Sequence, residues 1–333
     1  MNTSQTSLQK TVSIIIFLSI ALLGIALLSI TQGAVNIPLK NILDLLLNKE
    51  IDEHYKIIIL QLRLPRILMA IFVGGGLSIS GVILQALLRN PLAEPYILGI
   101  SSGGTLGAVI AISLGFGLMS VPLMAFLGAL LVIVVVFISA EYQGKFESNR
   151  LLLTGIMIGA LLNSLVLLIM VLKNKETKEA FLWLIGNLSS TNVQELYIVI
   201  PIVTLTFILI FGKAKSYNLI SIDEETAESL GIEVDKFKKF SYLLASLITA
   251  VAVSFNGIIG FVGLVIPHLV RITTGADHKI LIPASFLLGS IFLLIIDTIA
   301  RTIAAPIEIP IGALTAIIGA PIFLILLLRK QKL

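Results

Sequence analysis

Long apolar runs without a charged side chain recur along this chain, and they constrain its fold more than any other feature. Ser13–Thr31 and Val121–Ser139 each hold 19 uncharged residues. About 18–20 such residues suffice for a helix to cross some 30 Å of hydrocarbon at ~1.5 Å per residue. Lipid tails offer no partner for a backbone N–H or C=O, so only helices and closed barrels can span a bilayer. The runs are continuous rather than alternating, which selects helices. Charged residues make up 13% of the 333 positions, about half the share a soluble surface carries. The expected fold class is therefore all-α, a polytopic transmembrane helical bundle. Residues 1–333 read as one membrane domain, because no stretch long and polar enough for a soluble domain interrupts the pattern.

Ten apolar windows emerge between charged or Pro/Gly-rich breaks, at about 12–32, 65–88, 95–113, 119–139, 150–172, 193–211, 240–257, 260–274, 280–300 and 311–328. The seventh and eighth nearly fuse across Asn256–Gly260, so nine spans is the competing count. The first run continues to about Ile30 with no small-residue cleavage pattern after it, which reads as a retained helix rather than a signal peptide. With ten spans, fourteen of the 23 Lys and Arg residues fall on the side holding the termini and nine on the other. The excess of basic residues in cytoplasmic loops then puts both termini in the cytoplasm. The opposite side still keeps Arg63, Arg66 and Arg301, where interfacial snorkelling is the plain explanation.

Small residues recur inside the windows: Gly74-Gly75-Gly76 and Gly81 in the second, Gly99, Gly103 and Gly107 in the third, Gly155 and Gly159 in the fifth. They serve close helix packing or line a pathway, and spacing alone does not separate the two. Asp297 is the one acid well inside a window. Arg301 follows four residues later on the same helix face, as a structural pair would. A string of intramembrane acids and bases, expected of an ion-coupled transporter, is absent, so transport by this chain needs energy from elsewhere.

Other chemistries are excluded more briefly. There is no cysteine, and His54, His268 and His278 are not spaced as metal ligands. Met119, Met124, Met157 and Met170 read as packing residues. No convergent His/Asp/Glu cluster suggests a membrane enzyme, no cofactor is expected, and a net charge of +4 spread over short loops does not suggest nucleic acid. The most polar segment is 212–239. Within it Ser221–Ile232 reads as a short helix, with Ser221 as N-cap, Glu224 completing a capping box and Gly231 as the stop. Ile222, Ala227 and Leu230 give it a partial apolar stripe. Such a helix either connects two spans or docks into a groove on a cytoplasmic partner.

An ordered set of segments resembles the FecCD-type permeases, membrane subunits of ABC importers for iron chelates, haem and cobalamin. These are Arg63-Leu64-Pro65-Arg66, Gly81–Pro95 with Leu98–Gly103, Arg150–Gly155, Ala227–Gly231, Gly260–His268, Asp297–Arg301, Glu308–Gly312 and Gly319–Phe323. The resemblance implies ten helices with cytoplasmic termini, and a pathway between two permease subunits (a homodimer, or a heterodimer with a related chain). It also implies two ATPase subunits and an extracytoplasmic substrate-binding protein as partners. The chain holds no G-x-x-x-x-G-K-[ST] segment to cradle nucleotide phosphates, so ATP hydrolysis falls to a separate subunit and this chain is not an enzyme. By the same resemblance Arg63, Arg66 and Arg301 receive carboxylates of the binding protein, for which guanidinium forks are suited. The loop at about 216–236, with Ser221, Glu224, Ala227, Leu230 and Gly231, seats on the ATPase, and Ser148 and Asn149 lie at the cytoplasmic gate. An iron-siderophore complex is the expected cargo, with cobalamin and haem as alternatives. An ion-coupled secondary transporter is the alternative class.

Overall fold

A computed structural model describes residues 2–117, 120–143, 145–173 and 177–330. Met119 and Lys175, counted above as a packing residue and a loop charge, lie outside the described residues. In chain order the helices are α1 (Asn2–Thr31), α2 (Leu39–Leu46), α3 (Glu53–Ile57), α4 (Leu64–Leu87), α5 (Ile100–Ser113), α6 (Ser120–Ala140), α7 (Ser148–Leu172) and α8 (Thr177–Leu184). They continue with α9 (Val193–Gly212), α10 (Ala214–Ile222), α11 (Glu224–Ser229), α12 (Val234–Asn256), α13 (Val262–Thr274), α14 (His278–Ala300) and α15 (Ile311–Lys330). A two-residue antiparallel hairpin pairs Glu141–Tyr142 with Lys145–Phe146.

Every apolar window is helical. Among the described residues seven helical stretches are long and apolar enough to cross a membrane: α1 from Val12, Glu53–Leu87 ending in α4, α6, α7, α9, α12 and α14. Three shorter apolar helices, α5, α13 and α15 up to Leu326, occupy the remaining windows. The third window is broken near its start. Pro95–Leu98 forms a 3-10 turn, and Gly99, at φ +74°, redirects the chain into α5. The near-fused seventh and eighth windows are separate helices, because Gly257 at φ +68° ends α12 and non-helical backbone follows until α13.

Burial sorts the helices into a centre and a rim. The stretch ending in α4 is mostly buried, whereas few residues in the apolar windows of α1 and α7 are fully buried. Ile16, Phe17, Ile20 and Leu23 of α1 and Ile156, Met157, Leu161 and Leu167 of α7 point outward, as lipid-facing side chains would. Around α4 pack α14, α12, α13 and α9. Glycine permits that density. A methyl group on Gly81 would collide with the carbonyl of Gly263 in α13, and one on Gly74 with the carbonyl of Gly289 in α14. Likewise Gly103 and Gly107 meet the backbone of α6 at Gly128 and Met124, and Gly155 meets Leu98. Of the two readings of these glycines, the structure supports close packing within the chain. Without a hydrophobic driving force between helices in lipid, such contact distance is what holds them together.

Position therefore decides the effect of adding one carbon. Gly81→Ala forces α4 and α13 apart and should cost about 1–3 kcal/mol as overpacking, whereas Gly24→Ala in α1 meets no atom within 4 Å. Thermal unfolding of the two variants in the same detergent should show a clear loss for the first and none for the second.

Candidate functional site

Charged side chains gather in two clusters, one at each end of α4. The first is assembled where that helix begins. Ile58–Arg63 widens into a π-helical turn, which carries Arg63 toward the chain segment just past α1. There Arg63 donates to the backbone carbonyls of Ile30 and Val35. Arg66, one turn into α4, faces the end of α14. Its Nε donates to Asp297 Oδ1 at 2.7 Å, and its Nη1 donates to both Glu308 oxygens at 2.9 Å. Arg301, just past α14, donates to the carbonyls of Gln32 and Ser29 and to the Ser29 hydroxyl.

The expected Asp297–Arg301 pair is present, with Arg301 Nε 3.5 Å from Asp297 Oδ2, but Arg66 makes the shorter contact to the same carboxylate. Arg63, Arg66 and Arg301 are 6%, 8% and 6% exposed, so none stands free on the surface. All three line one cavity of about 240 Å³ together with Glu308. Three guanidiniums face two carboxylates there. Backbone carbonyls take most of the hydrogen bonds of Arg63 and Arg301 but carry no net charge, so the cluster keeps one positive charge in excess.

The second cluster forms where α4 ends. α11 is a short helix capped at both ends, although not as the sequence suggested. Ser221 is not its N-cap: it sits in the last turn of α10, and its hydroxyl donates to the Asn218 carbonyl at 2.8 Å. The N-cap is Asp223, whose carboxylate accepts from the Thr226 backbone N–H at 2.9 Å. That hydrogen bond holds the exposed Asp223 carboxyl below its ordinary range, so the cap stays ionised through neutral pH. Glu224 is thereby released from capping. It bridges Lys238 Nζ of α12 at 2.5 Å and Arg89 Nη2, just past α4, at 3.4 Å.

Gly231 does stop the helix. At φ +85° it donates to the Glu228 carbonyl at 2.9 Å, while Ile232 donates to that of Ala227 at 3.1 Å, the paired bonds of a Schellman ending. Ala227 is buried, leaving Ile222 and Leu230 exposed. Ser148 and Asn149, the expected gate residues, begin α7 and face the same space. With Arg89, Lys145, Glu224 and Lys238 they line a cavity of about 550 Å³. The structure thus brings the expected gate beside the expected coupling helix, which spacing did not foretell. Among the described residues no group of three His, Cys, Asp or Glu side chains is placed to hold a metal ion.

Among the ion-paired and capping residues of these clusters, four have no role in the sequence reading: Arg89, Asp223, Lys238 and Glu308. Asp223, directly before two acidic residues and three before Thr226, carried a readable capping signal. The other three depend on partners far away in the chain. Since Asp297 is fully buried, removing only its charge leaves Arg66 with the half-exposed Glu308 as its one carboxylate and should cost about 2–3 kcal/mol, short of the full cost of an unpaired buried charge. Thermal melting should therefore rank Asp297→Asn below wild type, with the double replacement Asp297→Leu, Arg66→Met recovering part of the loss.

Comparison with known proteins agrees with this architecture. The FecCD transport family model matches residues 20–329. The chain is 40% identical to the cobalamin import system permease BtuC of Halobacterium salinarum, over 84% of this chain and 76% of that one. It is 35% identical to the Fe(3+) dicitrate permease FecD of Escherichia coli K12, over 96% and 99%. A solved structure described as the inward-facing conformation of a metal-chelate type ABC transporter superposes with a TM-score of 0.86 at 32% identity, covering 95% of this chain and 99% of that one. The chain belongs to the FecCD transport family, the membrane permease components of ABC importers.

Proposed function

We propose that this chain and a second permease copy form the gated pathway of an importer for a metal chelate, an iron chelate foremost. The observation that carries this reading is the pairing of two dissimilar charged clusters through one helix. α4 has 24 residues, or about 36 Å of rise, against about 30 Å of hydrocarbon. Its start holds Arg66 and its end leads to Arg89, so the clusters lie on opposite sides of the bilayer.

In this reading ten helices cross, both termini are cytoplasmic, and α1 leads outward to the arginines. Arg63, Arg66 and Arg301 receive carboxylates of an extracytoplasmic binding protein; their excess positive charge and shared cavity support that role. Ile222 and Leu230 flank α11 as uncovered apolar side chains, and with Ser221, Glu224, Ala227 and Gly231 they seat one of two ATPase subunits. Ser148 and Asn149 gate the cytoplasmic end. Permeation needs no chemistry from this chain: the helices supply packing and a passage, and the ATPases supply the work. The iron dicitrate permease, aligned over 96% of this chain, supports an iron chelate. Cobalamin is the second reading, favoured by the 40% identity to a cobalamin permease.

Three measurements test the proposal. Isolated from its host in mild detergent, the chain should bring down an ATPase subunit and a binding protein, and hydrolyse no ATP without the former; hydrolysis by the chain alone overturns the assignment. Leu230→Glu with Gly231→Lys should abolish ATPase recovery, whereas Arg63→Gln with Arg301→Gln, which leave the buried Arg66–Asp297 pair in place, should sharply reduce uptake with ATPase recovery intact. The recovered binding protein, titrated with a ferric siderophore, ferric citrate, haemin and cyanocobalamin, should bind a ferric chelate most tightly. Preference for cyanocobalamin selects the second reading.

A further inference from the structure

The two carboxylates on Arg66 are held very differently. Asp297 is fully buried in α14, grips Nε at 2.7 Å and also approaches Arg301. Its place is fixed by a helix. Glu308 comes from the non-helical link between α14 and α15, and its side chain is 40% exposed. Both of its oxygens converge on the single nitrogen Nη1. Nη2 makes no hydrogen bond among the described residues, so the parallel two-nitrogen grip that makes a guanidinium–carboxylate pair strong and directional is unused. The cavity of about 240 Å³ beside the pair opens between Arg63, Arg66, Arg301 and Glu308. Around Glu308 the link is uncovered, with Ile303 and Ile307 among the most exposed apolar side chains of the chain.

We propose that Glu308 is a resident stand-in for a carboxylate of the docking protein, occupying Arg66 until that carboxylate displaces it. The proposal rests on the reading of the arginines as the docking site. An incoming carboxylate can take the Nη1–Nη2 edge in the parallel geometry that Glu308 does not use. The expelled Glu308 turns to solvent, which its exposed link permits. Asp297 keeps Nε throughout, so Arg66 is never left buried without a counter-charge, the state that would cost most. Ile303 and Ile307 offer the partner apolar contact beside the exchanged pair. Glu308 thus lowers the affinity of docking and keeps the arginine in its receptive rotamer when nothing is docked, both useful where a partner must come and go in each cycle.

The test uses the permease–ATPase complex in nanodiscs and the binding protein recovered with it. If Glu308 competes, Glu308→Gln removes an ion pair open to solvent on its carboxylate side and should tighten binding about two- to fivefold, chiefly by slowing dissociation. Glu308→Asp, one methylene shorter, should tighten it less. Thermal melting of each variant complex checks that the fold is kept, and the Asp variant carries the test if the Gln variant melts early. Unchanged or weaker binding by a folded Glu308 variant overturns the proposal. Arg63→Glu with Arg301→Glu separates the two levels of failure. Weakened binding in that variant with no tightening at Glu308 sinks only the stand-in. Undiminished binding sinks the docking reading and the stand-in with it.

Discussion

Hydrocarbon solvates neither a peptide group nor an ion, and nearly every feature of this chain follows from that. The backbone satisfies itself by coiling into helices. The helices then have no solvent to flee from, so they associate through contact at glycine, as at Gly81 on Gly263 and Gly74 on Gly289. Ionic side chains are excluded from the middle and collect where helices end. A chain built this way can form a passage and little else. Its charged side chains are left at two rims.

The buried ion pair at one rim is the costliest of these. Arg66 and Asp297 sit 8% and 0% exposed, and taking both out of water is offset only in part, by the 2.7 Å bond between them and by Glu308 on Nη1. A hydrophobic pair of similar size would stabilise the fold as well or better. Stability alone therefore does not account for an arginine there. What a hydrophobic pair lacks is a guanidinium with a donor to spare, and Arg66 keeps one nitrogen, Nη2, uncommitted among the described residues beside a cavity. The charge is better understood as something the fold holds available than as something that holds the fold.

Much of this was readable from the sequence, and the boundary between readable and unreadable has a physical basis. The ten windows matched helices closely because apolar length is a property of consecutive residues. Gly231 was recognised as a stop because only a residue tolerant of positive φ serves there. From the sequence, Ser221 reads as the N-cap, with Glu224 three residues on completing a capping box. The structure gives that role to Asp223 since Glu224 is drawn away by Lys238 and Arg89, neither of which is near it in the chain. The same distance hid the role of Glu308, 242 residues from Arg66. Local rules find caps and spans; they do not find a partner brought close only by packing.

How a force at one rim reaches the other follows from the same packing. α4 runs from Arg66 to the residue pair just before Arg89, with α14 alongside it, and α14 carries Asp297 at its far end. At its near end, Asp277 and His278 accept and donate hydrogen bonds with Asn218 of α10 at 2.7–2.8 Å, directly before α11. Both rims are thus tied to both helices. Between them, backbone meets backbone at Gly74 with Gly289 and at Gly81 with Gly263, where interlocked contacts resist sliding. Packed interfaces of this kind shift between discrete arrangements rather than deform gradually. A push on α11 is therefore expected to move α4, α13 and α14 as one body, carrying with them the arginine cluster and the end of α1 that Arg63 and Arg301 hold, while the sparsely buried α7 yields against lipid.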